Sequence, residues 1–204
     1  MTRKSTEQRR EGVKARLRQA LRAQLPARRF QELRVEDIAE EAGLSRSSFY
    51  FYYPDKQSLL MEAAVDIADQ LFERADRWWH GEGDPAALVS EGLRGVADLW
   101  DRNGDLIVCT FEVATYDERL YAFFTGLVDR FTEETAALIE REQKAGRIDP
   151  ELEAAGTAAV LVWGLERGLY VTSRGGKPGR EELVRATAGV WMRVLYGNGS
   201  VPGG

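Results

Sequence analysis

The sequence predicts an all-α protein of about nine helices, with a small N-terminal helix-turn-helix unit ahead of a larger helical body. Three observations predict it. Apolar residues recur at three- and four-residue intervals, and no window sustains the period-two alternation of a strand. Helix punctuation is dense: Ser45, Asp84-Pro85, Asp105, Asp117 and Asp149-Pro150 are start signals, while Gly43, Gly81, Gly104, Gly146, Gly175-Gly176 and Gly197 are stops. The charge is also split. Residues 1–56 hold 13 Lys/Arg against 8 Asp/Glu, and residues 57–204 hold 15 against 25, so a basic head precedes an acidic body.

In chain order the expected helices are Glu7 to Leu25, Val35 to Glu41, Ser45 to Tyr52, Lys56 to Trp79, Pro85 to Arg102, Asp105 to Tyr116, Glu118 to Ala145, Pro150 to Ser173 and Arg180 to Tyr196. The first three form a head over residues 1–55. The rest form a body over residues 56–197, and the Gly-rich residues 198–204 read as a disordered tail. The helix from Lys56 carries Leu59, Leu60, Ala63, Ile67 and Leu71 on one face, which makes it a mechanical link between head and body.

Bulk composition narrows the function classes. With 204 residues, 44% apolar and 30% charged, the chain reads as soluble and globular. Its longest apolar run, Ala158 to Leu165, is eight residues, where a bilayer span needs about 20. The polar start through Arg10 carries no signal-peptide pattern. A single cysteine, Cys109, points to the cytoplasm, and a single histidine, His80, leaves no metal-ligand spacing. No cofactor is expected. An enzyme would need a nucleophile with its base or a metal site, and only scattered serines are present.

The stretch from Val35 to Lys56 reads as helix, tight turn, helix. Ala39 is small enough for two helices to cross, Gly43 permits a left-handed turn, and Leu44 and Phe49 plug the angle. Ser45 then caps a short second helix that exposes Arg46, Ser47, Ser48 and Tyr50, groups suited to base edges and phosphate oxygens. The aromatic run Phe49 to Tyr53 exceeds what one face of a short helix can bury, so some tyrosine hydroxyls must point outward. Pro54 ends the helix, and Lys56 begins the next one near where a phosphate should lie.

The pattern Ile38-Ala39-x-x-Ala42-Gly43-Leu44-Ser45-x-x-x-Phe49-Tyr50-x-Tyr52-Tyr53-x-x-Lys56 resembles the signature of the TetR family of regulators. The body resembles the EthR-like members in the run Thr135 to Glu142, in Glu166-Arg167, and in Val190-Trp191 with Leu195-Tyr196-Gly197. The resemblance implies that Ser45 to Tyr52 is a recognition helix, with Arg46 and Ser47 nearest the bases and Tyr50, Tyr52 and Lys56 on phosphates. It also implies an elongated, hydrophobic effector and a four-helix homodimer interface built from the last two helices. One departure stands out. The Thr or Ser that usually opens the second helix is Arg34 here, which can touch phosphate but cannot cap. The basic N-terminus (Arg3, Lys4, Arg9, Arg10) offers further DNA contacts.

In the body, Trp100, Phe111, Phe124, Phe131, Trp163, Tyr170 and Trp191 sit at helical spacing and are candidates to wall an apolar effector cavity. A plain packed core explains each of them equally well singly. Glu112 and Glu166-Arg167 lie among apolar residues, where a charge requires a partner or a ligand. Ala155, Ala159 and Val162, with Leu183, Val190 and Val194, are the candidate dimer stripes. The expectation is a ligand-responsive repressor that binds a near-palindromic operator duplex as a homodimer. Its rivals are an activator or ligand-independent regulator of the same fold, and a helical adaptor whose head meets protein.

Overall fold

The computed structural model describes residues 2–197, with side chains from Thr6 onward. The expected tail at 198–204 and the side chains of Arg3 and Lys4 lie outside the described residues. Those residues hold eight helices, one 3-10 turn at Phe30–Glu32 and no strand. In chain order the helices are α1 (Thr2–Gln24), α2 (Val35–Glu41), α3 (Arg46–Tyr52), α4 (Lys56–His80), α5 (Pro85–Ala114), α6 (Glu118–Lys144), α7 (Ala154–Ser173) and α8 (Arg180–Tyr196).

Three expected boundaries differ by several residues, the first being α1, which starts at Thr2 rather than Glu7. The helices read as Pro85 to Arg102 and Asp105 to Tyr116 are one helix, α5, bent where Asn103 leaves helical geometry (φ −123°, ψ 15°). The Asn103 side-chain amide donates to the Leu99 carbonyl at 2.9 Å, so a side chain supplies part of the ladder that the bend disturbs. Helix α7 starts at Ala154 rather than Pro150. Asp149 is spent on a turn, accepting from the Glu151 amide at 2.9 Å, and Glu153 caps the helix by accepting from Ala155 N and Gly156 N at 2.9 and 2.6 Å.

The chain divides into two compact units, residues 1–67 with 105–122, and residues 68–104 with 123–204. Helices α4, α5 and α6 each contribute to both.

In the first unit α1 packs on α2, and α2 on α3. The apolar spacing of α1 buries Leu17, Ala20 and Leu21. Leu33, Ile38, Ala39 and Phe49 are 0–2% exposed, and Leu59, Leu60 and Ala63 of α4 are fully buried. Asp55 caps α4, accepting from Ser58 N at 2.6 Å and from its hydroxyl at 2.7 Å, and Arg119 meets the same carboxylate at 3.3 Å.

The second unit is centred on aromatics. Phe131 lies 4.4 Å from Phe72 and 5.1 Å from Trp79, and Trp78 lies 4.8 Å from Trp191. The Trp79 indole donates to Thr135 Oγ1 at 3.3 Å, and Arg141 donates to the Trp79 carbonyl. Helices α7 and α8 pack directly. At Gly168 a Cβ would sit 2.7 Å from a Leu183 methyl, so a larger residue there would have to push the Leu183 side chain aside.

Candidate nucleic-acid interface

The turn between α2 and α3 is built as its residue types require. Gly43 is left-handed (φ +68°), the Gly43 amide donates to Glu40 O at 2.9 Å, and the Leu44 amide reaches back to Ala39 O at 2.8 Å. This double closure satisfies the carbonyls at the end of α2 and redirects the chain sharply. Ser45 caps α3, its Oγ accepting from the Ser48 amide at 3.1 Å while lying 2.9 Å from the hydroxyls of Ser47 and Ser48. Arg34 occupies the cap position of α2 without making a side-chain cap. Its guanidinium instead clasps Asp37, with Nη2 and Nε at 3.1 and 3.4 Å from the carboxylate. That hydrogen bond is the main reason the Asp37 carboxyl lies below its ordinary range.

Helix α3 is anchored by Phe49 and followed by Tyr53, both buried. The Tyr53 hydroxyl donates to Glu62 at 2.8 Å, and Lys14 and Arg18 bind the same carboxylate at 2.6 and 2.5 Å. With that face committed, Ser45, Arg46, Ser47, Tyr50 and Phe51 are exposed, and Ser48 and Tyr52 are half-buried. The Arg46 guanidinium pairs with Glu36 at 3.0 Å and lies 5.7 Å from the Tyr50 ring. Arg34, Arg46, Ser47 and Tyr50 are thus brought to accessible positions around one helix-turn-helix.

Lys56 is not among them. Its ammonium donates to the carbonyls of Phe30, Gln31 and Leu33 at 2.7, 3.2 and 2.6 Å and lies 4.8 Å from the Phe30 ring. All three ammonium protons have acceptors within the chain, and Lys56 ties the 3-10 turn to α4. Burial holds its pKa below the ordinary lysine value. Sequence reasoning also missed Phe51, 73% exposed on the outward side of α3. The available signal was its place one turn after Ser47.

The seven aromatic candidates of the body occupy several different settings. Trp100 and Trp191 are buried, Phe131 belongs to the Phe72–Trp79 cluster, and Phe124 meets the exposed Trp163 edge-on at 5.9 Å. Arg167 lies 5.1 Å over the Tyr170 ring, and Phe111 is grouped with the first unit. A groove of 470 Å³ in the second unit is lined by Ser90, Arg94, Asp98, Arg180 and Arg185 and by none of the seven. Glu112, expected among apolar residues, is exposed, because it falls on the outer side of α5.

The comparisons decide the family. Residues 18–63 match the model for bacterial regulatory proteins of the tetR family, and residues 89–197, over half the chain, match that for the C-terminal domain of the transcriptional regulator EthR. The chain belongs to the TetR family of transcriptional regulators, with an EthR-type C-terminal domain. The HTH-type transcriptional regulator EthR of Mycolicibacterium smegmatis is 27% identical over 85% of this chain and 81% of its own. Among solved structures, a TetR-family regulator from Rhodococcus sp. superposes with a TM-score of 0.70 at 21% identity, covering 91% of this chain and 99% of its own. A regulator from Saccharomonospora viridis, solved in complex with choline, superposes with a TM-score of 0.72 at 18% identity, covering 92% and 96%. As a TetR-family member the protein is a DNA-binding regulator and not an enzyme. No helix among the described residues is long and apolar enough to cross a membrane.

Proposed function

We propose that the protein is a cytoplasmic repressor that binds a near-palindromic operator as a homodimer and lets go when a hydrophobic small molecule occupies its C-terminal domain. The observation that carries the DNA half is α3, a capped helix whose inner face is fixed by Phe49 while Arg46, Ser47 and Tyr50 stand exposed. Arg46 and Ser47 are suited to base edges, and Arg34, Tyr50 and Tyr52 to phosphates. A helix of seven residues reads too few bases alone, so two copies must enter successive turns of the major groove, about 34–36 Å apart or a multiple of it.

Exposed apolar residues on α7 and α8 support the dimer. Val160, Trp163, Val190 and Val194 are 41–74% exposed, whereas Val162 and Leu183 of the expected stripes are buried within the chain. The EthR-type domain supports the effector half, and the choline complex of the Saccharomonospora viridis protein is an instance of this fold holding a small molecule. The effector acts by favouring a DNA-incompetent state transmitted along α4, which runs unbroken from Lys56 to His80. A full switch from 1:99 to 99:1 takes a preference of about 5.5 kcal/mol.

Selection of bound fragments from random duplex DNA tests the reading. One symmetric motif is expected, with affinity falling steeply with salt, whereas an adaptor's apolar contact would be insensitive to it. Against that motif, Tyr50→Ala weakens all sequences alike, and Arg46→Ala or Ser47→Ala also relaxes preference at one base by about 1–3 kcal/mol. Failure to retain any duplex at low ionic strength refutes the proposal.

A further inference from the structure

We propose that Phe51 reads thymine, through the 5-methyl group that thymine presents in the major groove. This rests on α3 being the DNA-reading helix. Phe51 is 73% exposed, more than any other aromatic residue described as exposed, and it stands on a helix whose apolar needs are already met by the fully buried Phe49 and by Tyr53. It contributes nothing to the core, yet it shares the outward side of α3 with Ser47, one turn earlier. The residues around it, Arg46, Ser47 and Tyr50, are all hydrogen-bonding types. Phe51 has no donor or acceptor, so neither a phosphate oxygen nor a base-edge amine or carbonyl satisfies it. The thymine methyl is the apolar feature of the major-groove code, and contact with an aromatic side chain is one way it is read.

The ring is also held in place. Tyr52, half-buried beside it, meets Phe51 edge-on with centroids 5.2 Å apart and planes at 80°. A ring already braced loses less conformational freedom on docking than a free one. Covering it with a methyl-bearing base also removes apolar surface from water, which a cytosine or an unmethylated pyrimidine at that position does less well.

The test uses the full-length protein and the duplex it selects from random DNA. Each thymine is replaced in turn by deoxyuridine, which deletes only the methyl group, at symmetry-related positions of both half-sites. Dissociation constants are measured by fluorescence anisotropy for the wild type, Phe51→Ala and Phe51→Leu. For the wild type, one thymine pair is expected to matter, its demethylation weakening binding about fourfold per methyl and about 15-fold for the pair, the weight of two buried methyl-sized groups. Phe51→Ala binds the thymine and uracil duplexes equally, and Phe51→Leu keeps part of the difference. Indifference of the wild type to every demethylation overturns the proposal, as does a Phe51→Ala protein with undiminished methyl sensitivity. A wild type that selects a motif yet ignores methyls sinks this inference alone, whereas one that selects nothing sinks the DNA reading beneath it.

Discussion

The carboxyl of Glu166 lies on the buried face of α7 beside Val162 and Leu169, its side chain 8% exposed. Neither oxygen has a hydrogen-bond partner, and the nearest cationic nitrogen, Arg167 Nε, stands 3.9 Å away on a side chain that is 63% exposed. Burial pushes its pKa above the ordinary value of 4.5. The folded protein therefore holds this proton more tightly than the unfolded chain, and stability falls as pH rises from about that value through the folded pKa. Glu166→Leu removes the penalty and needs no partners. Its melting temperature at pH 8 is expected to exceed the wild type's by several degrees, on a gain of about 1–3 kcal/mol, with a smaller gain at pH 5. An equal or lower melting temperature at pH 8 would show that the burial is not costly. Arg46 presents the opposite economy. It is accessible, but its guanidinium rests on Glu36, so binding a base exchanges one partner for another.

Among elements, α1 is tied to α4 through two carboxylates, Asp66, 3.1 Å from Arg18 Nε, and above all Glu62. Glu62 receives Lys14, Arg18 and the Tyr53 hydroxyl at 2.6, 2.5 and 2.8 Å, which joins α1, the end of α3 and α4. Despite the opposing cost of burial, these partners hold its pKa below the ordinary 4.5. The stabilisation is thus complete above pH 4.5 and is lost as pH falls through the lower, folded value. Glu62→Gln should cost about 1–3 kcal/mol in urea unfolding at pH 7, and the gap from wild type should close on acidification toward pH 3. A gap independent of pH would mean that the carboxylate's charge is irrelevant. The elements of the head are legible in the amino-acid sequence because each one is set locally: Gly43 in the left-handed region, Ser45 on the Ser48 amide, Ile38 and Ala39 buried in the last turns of α2 before Gly43. Helix α5 is not, because Gly104-Asp105 carries stop and start signals that continuity through the bend at Asn103 overrides.

For the whole molecule, the proposed reading requires two copies. The exposed valines of α7 and α8 identify a surface whose disruption leaves the chain's own core alone. Val190→Glu, at a site 53% exposed, should leave thermal stability at low protein concentration within about 0.5 kcal/mol. It should nevertheless shift sedimentation to monomer and abolish tight operator binding. A wild type that sediments as monomer would refute the dimer, and a Val190→Glu dimer would place the contact elsewhere.

Residue periodicity and caps by themselves determined the all-helical class and the helix-turn-helix, because both are local: an i, i+4 stripe or a capping serine means the same thing in any surroundings. Tertiary structure alone decided which polar groups are spent inside. Lys56 has the residue type of a phosphate ligand, but three carbonyls 23–26 residues away in sequence claim its protons. Glu112 and Glu166 share a residue type and an apolar neighbourhood in sequence, yet one reaches solvent and the other is sealed on α7. Burial depends on what packs against a helix face, and that partner lies beyond the reach of any local pattern.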